Sequence, residues 1–462
     1  MTKFLRSPIA LATALVVAFP LAAVATTRHR GSGNAVVRFQ TTVLPNGGGE
    51  PNVSISPDGK VVLADGLGGS PASLWRSTDG GKTFDSIQPQ FAHTGGGDWD
   101  MHWIDNKTIV AADLSLNNGI YIHRSTDAGL KWTTTQIHED VYDRPWLAVA
   151  GKTVYVVAKG FDAVPYCYIS NDGGKTFSQT PIPLYGTGVV PAEAGGTSPT
   201  ATEALVTNQN AYVDHAMTDP KTGDLWVLYG IDSPESYSQR NPTGVPNRLY
   251  VAHLEDGPAG QQFVSYPVYL GGAGDSFVDG FNWLTIDRNG TLYVLANGGH
   301  AKHESTWLTY STDHGKHWTK LTDVGEAGAT NVYGSIAAGA PGTLAMAYIR
   351  GSNSDPSTNQ AWYPEFARIT HANTDHPSVQ RTRITQEPIH TKDICFSGIL
   401  CGVPGFGNNR DLLDYIWDAI APDGTAFAVY ASDGPATGTS SGVNVLLVRQ
   451  VAGPKFGTGT PS

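Results

Sequence analysis

Ionisable side chains recur in this chain at one kind of place, immediately before or at the start of a strand-like apolar run. In chain order they are Glu50; Asp98 and Asp100; Asp143 and Arg144; Asp214 and His215; Asp279 and Asn282; Asn331 and Tyr333; and Arg410, Asp411, Asp414 and Tyr415. The runs that follow are paired with second runs ending in Asp65, Asp113, Asp162, Asp232, Arg350 and Asp433. If the runs converge, these groups form a polar cup. Carboxylates crowded together shift one another's pKa, so that one stays protonated while its neighbour is ionised. Glycoside hydrolysis needs that division of labour, which makes Glu50, Asp98, Asp100, Asp143 and Asp414 candidate catalytic groups. Arg144, Arg350 and Arg410 offer guanidinium forks for a substrate anion or for the carboxylates around them. His215, Asn282 and Trp99 are candidate substrate contacts, Trp99 by stacking on a sugar ring. Asp98, Asp100, Asp143 and Asp414 also offer hard oxygen ligands suited to Ca²⁺.

Seven copies of a strand, a short polar turn and a second strand carry these groups. They run from Asn52 to Asp65, Asp100 to Asp113, Pro145 to Lys159, His215 to Ile231, Asn282 to Asn297, Tyr333 to Arg350 and Tyr415 to Tyr430. A second repeat follows the first three copies and the fifth: Ser77 to Phe84, Ser125 to Trp132, Ser170 to Phe177 and Ser311 to Trp318 all read Ser-x-Asp-x-Gly, closing on an aromatic. Ser and Asp oxygens accept hydrogen bonds from nearby amides, and Gly permits positive φ, so each is a tight turn between antiparallel strands. Repetition of this kind predicts an all-β propeller of seven four-stranded blades, with six as the alternative. Val36 to Val43 has no blade of its own and is expected to supply the outer strand of the last one, removing an exposed edge. The long links, Tyr185 to Gln209, Asp232 to Asn247, Gly351 to Pro364 and Gln386 to Asn409, all fall on the face where the inner strands begin. Long loops gathered on one face of a rigid scaffold usually carry function.

The repeated turns resemble the Asp-box, or BNR repeat, of sialidase-like β-propellers. The stretches Gly95 to Asp100, Asp143 to Leu147 and Cys395 to Tyr415 are similar to bacterial secreted members of that group. The resemblance implies that the turns are scaffold. It also implies a three-arginine clamp, here Arg144, Arg350 and Arg410, with Tyr333 or Tyr415 as nucleophile and Glu50 as its base. The family's Arg-Ile-Pro start is replaced by Val43-Leu-Pro45-Asn46, which weighs against sialic acid as the substrate.

Residues 1–25 read as a secretory signal: Lys3 and Arg6 precede a mostly apolar stretch, and Ala23-Val24-Ala25 offers a cleavage site. Residues 26–462 are then one propeller domain, secreted or periplasmic. The formal net charge of −11 grows more negative once the signal leaves, which argues against nucleic acid or an anionic membrane as partner. A monomer is expected, acting on a glycan or glycoconjugate and requiring no cofactor beyond the possible Ca²⁺. Cys395 and Cys401, in a Gly-rich segment, are expected to form a local disulfide in an exported protein, and Cys167 a buried thiol. Two readings stay open: a glycoside hydrolase, sialidase-like or acting on another sugar through a carboxylate pair, and a non-catalytic propeller that binds glycan or protein. A Ca²⁺ site would serve either.

Overall fold

A computed structural model describes residues 36–457 and 459, apart from 68–72, 89, 92–94, 116–118, 139–143, 161–163, 185–210, 233–245, 258–259, 273, 302, 356–357, 397–400, 403–406 and 439–441. Its strands assort into seven antiparallel sheets of four, one for each repeat. Blades one to seven have as inner strands Val53–Ile55, Gly97–Trp103, Trp146–Ala150, Ala211–Thr218, Trp283–Ile286, Asn331–Ala338 and Trp417–Ile420. Blade seven is completed from the other end of the chain, because Arg38–Leu44 pairs with Asn444–Ala452, placing Thr41 opposite Val448. The expected closing strand is therefore present, and it covers what would otherwise be an open sheet edge.

Burial falls from the axis outwards. Each blade is packed between two others, so a second strand such as Ile109–Ser115 or Ala426–Ser432 is buried at every position. Such strands read as continuous apolar runs, with no polar face to alternate against. The outermost strand of blade six, Ser378–Arg383, has no buried position. Along the axis Trp146, Trp283 and Trp417 meet, with the Trp283 and Trp417 rings 4.6 Å apart and edge-to-face. His215 lies 4.6 Å from Trp283 and 5.1 Å from Trp146. Together they plug the channel.

The four Ser-x-Asp turns share one set of bonds. Ser77 Oγ donates to Asp79 Oδ1 (2.7 Å) and accepts the Gly81 N–H (2.9 Å), while Asp79 accepts the amides of Lys82 and Thr83 at 2.9 and 3.0 Å. The Thr83 amide and the Ser77 hydroxyl hold the Asp79 carboxyl well below its ordinary range. The arginine that precedes the serine ties one turn to the next: Arg76 Nε donates to Ala128 O (2.8 Å) and Arg124 Nε to Gly173 O (2.7 Å). At the seam Arg449 Nε reaches Gly80 O at 2.8 Å. These turns therefore tie blades seven, one, two and three together around the outside.

Removing a buried acceptor leaves its amide donor unpaired, at a cost of about 1–3 kcal/mol. Ser77→Ala, which strands the buried Gly81 amide, is expected to lower stability by that amount in urea unfolding. Lys82→Ala, at an exposed position of the same turn, should leave the midpoint within error.

Candidate functional site

All seven inner strands begin at one rim of the channel, and at that rim the backbone is unusual. Glu50, Asp98, Tyr333 and Leu413 have left-handed φ values of 49°, 52°, 53° and 60°. Such angles are uncommon outside Gly and tend to cluster at functional sites. At Asp98 and Tyr333 the cause is visible: the register slips between Gly97 and Asp100 and between Val332 and Ser335. A bulge inserts a residue that no longer obeys the alternation of its strand and re-aims its side chain.

The re-aimed groups meet. Glu50 is hydrogen-bonded to Asp98 and to Asp414, and Asp414 accepts both Nε (3.3 Å) and Nη2 of Arg410. Glu50 is 5% exposed, whereas the Asp414 and Arg410 side chains are 26% and 29% exposed and Asp98 is half-buried. Asp98, Asp414 and Arg410 are thus reachable, with Glu50 beneath them. Burial pushes the Glu50 carboxyl well above its ordinary value, Asp98 and Asp414 push it further, and Arg410 only partly opposes them. Burial and Asp98 likewise raise Asp414 against the pull of Arg410. The cluster retains protons at pH values where isolated carboxylates have lost them.

Arg144 forms the floor. Its guanidinium lies 4.0 Å over the Tyr415 ring and 4.2 Å over Trp146, and Nη2 donates to Trp99 O at 3.1 Å. Tyr415 is buried beneath it, and Tyr333 spends its hydroxyl on Leu413 O at 2.6 Å. Burial raises both phenols well above their ordinary range, an environment that opposes a phenolate nucleophile.

Other members of the expected cup are clasps between strand ends. Asp100 places one oxygen 3.0 Å from His102 Nε2 and accepts the Leu147 amide of blade three with the other, at 2.7 Å. Asp214 accepts the Asn282 amide across blades four and five at 3.1 Å, and Asn282 bonds Phe277 O and the Asn297 amide with its side chain. Asp65 accepts Asn52 N, and Asp113 accepts the amides of Gly95 and Gly97. His215 lies in the aromatic plug beneath the cup, and burial depresses its pKa to about 3, so it is neutral.

Three expectations need correcting. The Trp99 ring is packed against Phe91, His123 and Trp132 in the core between blades one and two, so Trp99 serves the cup through its carbonyl instead of its face. Arg350 pairs with Glu326 at 3.1 Å, and with Arg144 stacked in the floor and Arg410 on Asp414 no three-arginine clamp is assembled. Asp98, Asp100 and Asp414 are not gathered as a Ca²⁺ set: among the described residues no three His, Cys, Asp or Glu side chains are placed to hold a metal. Asp143 and Asp162, and the long links at 185–209 and 233–245, lie outside the described residues, as does the expected signal at 1–25.

Glu304 went unrecognised in the sequence. It is paired across a hairpin with Gly299, where the missing side chain lets its carboxyl fold over the turn. There it is hydrogen-bonded to Asp279. Asp279 Oδ2 and Glu304 Oε2 meet no N–H or O–H donor, and burial and the neighbouring Glu304 raise the Asp279 carboxyl well above its ordinary value. Asp279 O also accepts the Tyr333 amide at 2.9 Å, so this second carboxyl pair borders the cup. Only the adjacent Gly298-Gly299 hinted at it. Cys395 and Cys401 are joined by a disulfide, and Phe396 beside it is edge-on to Tyr333 at 5.7 Å.

The architecture defines the chain as a seven-bladed β-propeller. No protein-family model matches the sequence, and no curated protein does. Solved structures are similar to the chain at low identity. An α-L-arabinanase of Penicillium chrysogenum is 13% identical with a TM-score of 0.43, covering 77% of this chain and 99% of its own. An ulvan lyase is 10% identical with a TM-score of 0.49, covering 92% and 98%. A sialidase of Trypanosoma rangeli is 13% identical with a TM-score of 0.39, covering 90% of this chain and 55% of its own.

Burial raises Asp214 to about 7 from an ordinary 3.8, against the Asn282 bonds that lower it. Between those values the unfolded chain has lost a proton that the native protein still holds. The stability Asp214 contributes is complete below its unfolded pKa and is lost as pH rises through 7. In Asp214→Asn the melting temperature relative to wild type should therefore climb from pH 4 to pH 7. A difference that is flat with pH would refute the assignment.

Proposed function

We propose that this propeller is an exported glycoside hydrolase acting on glycans whose reacting residue is neutral, at the rim built by Glu50, Asp98, Asp414 and Arg410. The observation that carries the reading is the buried Glu50 carboxyl, raised well above its ordinary value by burial, Asp98 and Asp414, beneath the partly exposed Asp98, Asp414 and Arg410. The fold does not enter the argument, because function resides in the site.

Hydrogen-bonded carboxyls are closer than the about 5–5.5 Å that separates the two groups of a retaining glycosidase. Glu50 and Asp98 therefore act as one proton-sharing unit, as paired carboxyls do when both cannot ionise. Asp98, the exposed member, gives the proton to the glycosidic oxygen as its bond to the anomeric carbon breaks and the bonding electrons stay on that oxygen. A water supplies the new oxygen, and its proton passes to an ionised carboxylate of the site. Glu50 is a positioning residue hydrogen-bonded to Asp98, and the proton released by the water restores the one the pair gave up. Arg410 is already engaged by Asp414 and Arg144 is stacked in the floor, so no free guanidinium is left for a substrate anion, which is why neutral glycans fit better than sialosides.

A panel of chromogenic glycosides, one of them a sialoside, tests this with the purified mature chain. Turnover is expected on neutral glycosides, and Asp98→Asn should reduce kcat by about 100-fold or more, the usual worth of a general acid. Glu50→Gln, which removes the carboxyl hydrogen-bonded to Asp98, should lower kcat by less than Asp98→Asn does. Sialoside turnover lost in Arg410→Lys would favour an anion clamp instead. Glycan binding without turnover of any substrate would leave a recognition propeller.

A further inference from the structure

The Trp99 indole is packed in the core, but another aromatic residue stands at the cup. Just before the inner strand of blade five, Gly280 has φ at 101° and lies close against the cup wall. A side chain there would meet Tyr333 Cδ1 at 2.5 Å and Asp414 O at 3.0 Å. The next residue, Phe281, is thereby set beside Asp414. Its main chain is held on both sides, since Asn297 Nδ2 donates to Phe281 O at 2.6 Å and Asp214 accepts the Asn282 amide at 3.1 Å. The Phe281 ring lies 5.3 Å from Trp146 and 5.9 Å from Tyr415, inclined at 79° and 65°, so neither covers it face to face. Those two rings are the ones that carry the Arg144 guanidinium. Trp146 and Tyr415 are buried, whereas Phe281 is partly exposed.

We propose that Phe281 is the stacking platform of the rim, taking sugar rings that present a continuous face of C–H bonds. The proposal deepens the reading of the rim as a glycan site and rests on it. A sugar ring whose hydroxyls are equatorial is polar around its edge and apolar on its faces. Sites for such molecules combine an aromatic wall with a few polar groups that fix orientation. Here Asp98, Asp414 and Arg410 are the polar groups and Phe281 the wall. A rigid aromatic side chain loses little conformational freedom on binding and contributes a large apolar contact. With its backbone pinned by Asn297 and its ring braced edge-to-face by Trp146 and Tyr415, Phe281 is already in place before the sugar arrives. The platform therefore favours glucosides and xylosides over an open-chain polyol, which carries the same hydroxyls but no ring face.

The test measures binding, not turnover, in the Asp98→Asn variant of the purified chain. Indole fluorescence is followed against methyl β-glucoside and methyl β-xyloside, with glucitol as the open-chain control. Methyl glycosides are chosen because a chromogenic aryl group would itself stack on a ring. Saturable binding of at least one glycoside is expected, with glucitol without effect. Adding Phe281→Ala should weaken it about 10-fold. Phe281→Leu, which keeps apolar bulk but not a flat ring, should weaken it nearly as much, and Phe281→Tyr should restore it. Melting temperatures of all three variants check the fold, and Phe281→Leu carries the comparison if the alanine variant is unstable. Binding that is equal in Phe281→Leu and Phe281→Tyr would overturn the platform, as would glucitol binding as tightly as the glycosides or no binding of either glycoside. The two readings fail separately. Binding lost in Phe281→Leu by a protein that hydrolyses nothing supports the platform and sinks the hydrolase, while turnover of neutral glycosides with KM unchanged in Phe281→Leu does the reverse.

Discussion

In a ring of blades no backbone ladder runs from one sheet to the next, and every other feature of this protein is shaped by that gap. Within a blade the strands satisfy one another's amides. At the inner strand ends, where blades converge, those amides are buried and must find side chains. Asp100 meeting the Leu147 amide, Asp214 meeting the Asn282 amide and Asn297 meeting the Gly334 amide are the answer. Outside, Arg76, Arg124 and Arg449 do the same between turns, and Arg38–Leu44 closes the circle. The ring is held at two radii by side chains and at one seam by a strand.

This constraint explains why acidic residues are so common at the rim, and why most of them are not available for chemistry. A carboxylate that accepts two buried amides is a structural clasp, as Asp113 shows with Gly95 and Gly97. The carboxyls left for other work are those on residues whose backbone departs from the strand. Glu50 and Asp98 stand in the left-handed region, and Asp414 directly follows Leu413, which does too. Freed from the ladder, they converge on one another and share protons. Arg144 supports them from below through ring faces and the Trp99 carbonyl, adding positive charge without occupying the opening.

The aromatic plug divides the channel into two chemically different compartments. Above it, carboxyls and guanidinium groups reach solvent and can exchange protons with a substrate. Below it, Asp418 and His215 are buried, with Ser335 and the Ala337 amide beside Asp418 and the rings of Trp146, Trp283 and Trp417 around His215.

The sequence by itself determined the repeating scaffold: seven units, their tight turns, the closing strand and the local disulfide between Cys395 and Cys401. These rest on short-range chemistry, in which a Ser-x-Asp-x-Gly turn or an apolar run behaves alike wherever it occurs. It also placed the right residue types at the right rim. What only the tertiary structure decided was the direction in which each side chain points. Successive residues of a strand face opposite ways, so a single bulge separates Asp98, which faces the opening, from Asp100, which clasps the next blade. Trp99 between them was legible as an aromatic but not as core. The same holds for partners distant in sequence. Arg350 finds Glu326, Asp279 finds Glu304 across a hairpin cleared by two glycines, and His215 enters a plug built from three other blades. Such meetings depend on register and on ring closure, which no local pattern of residues encodes.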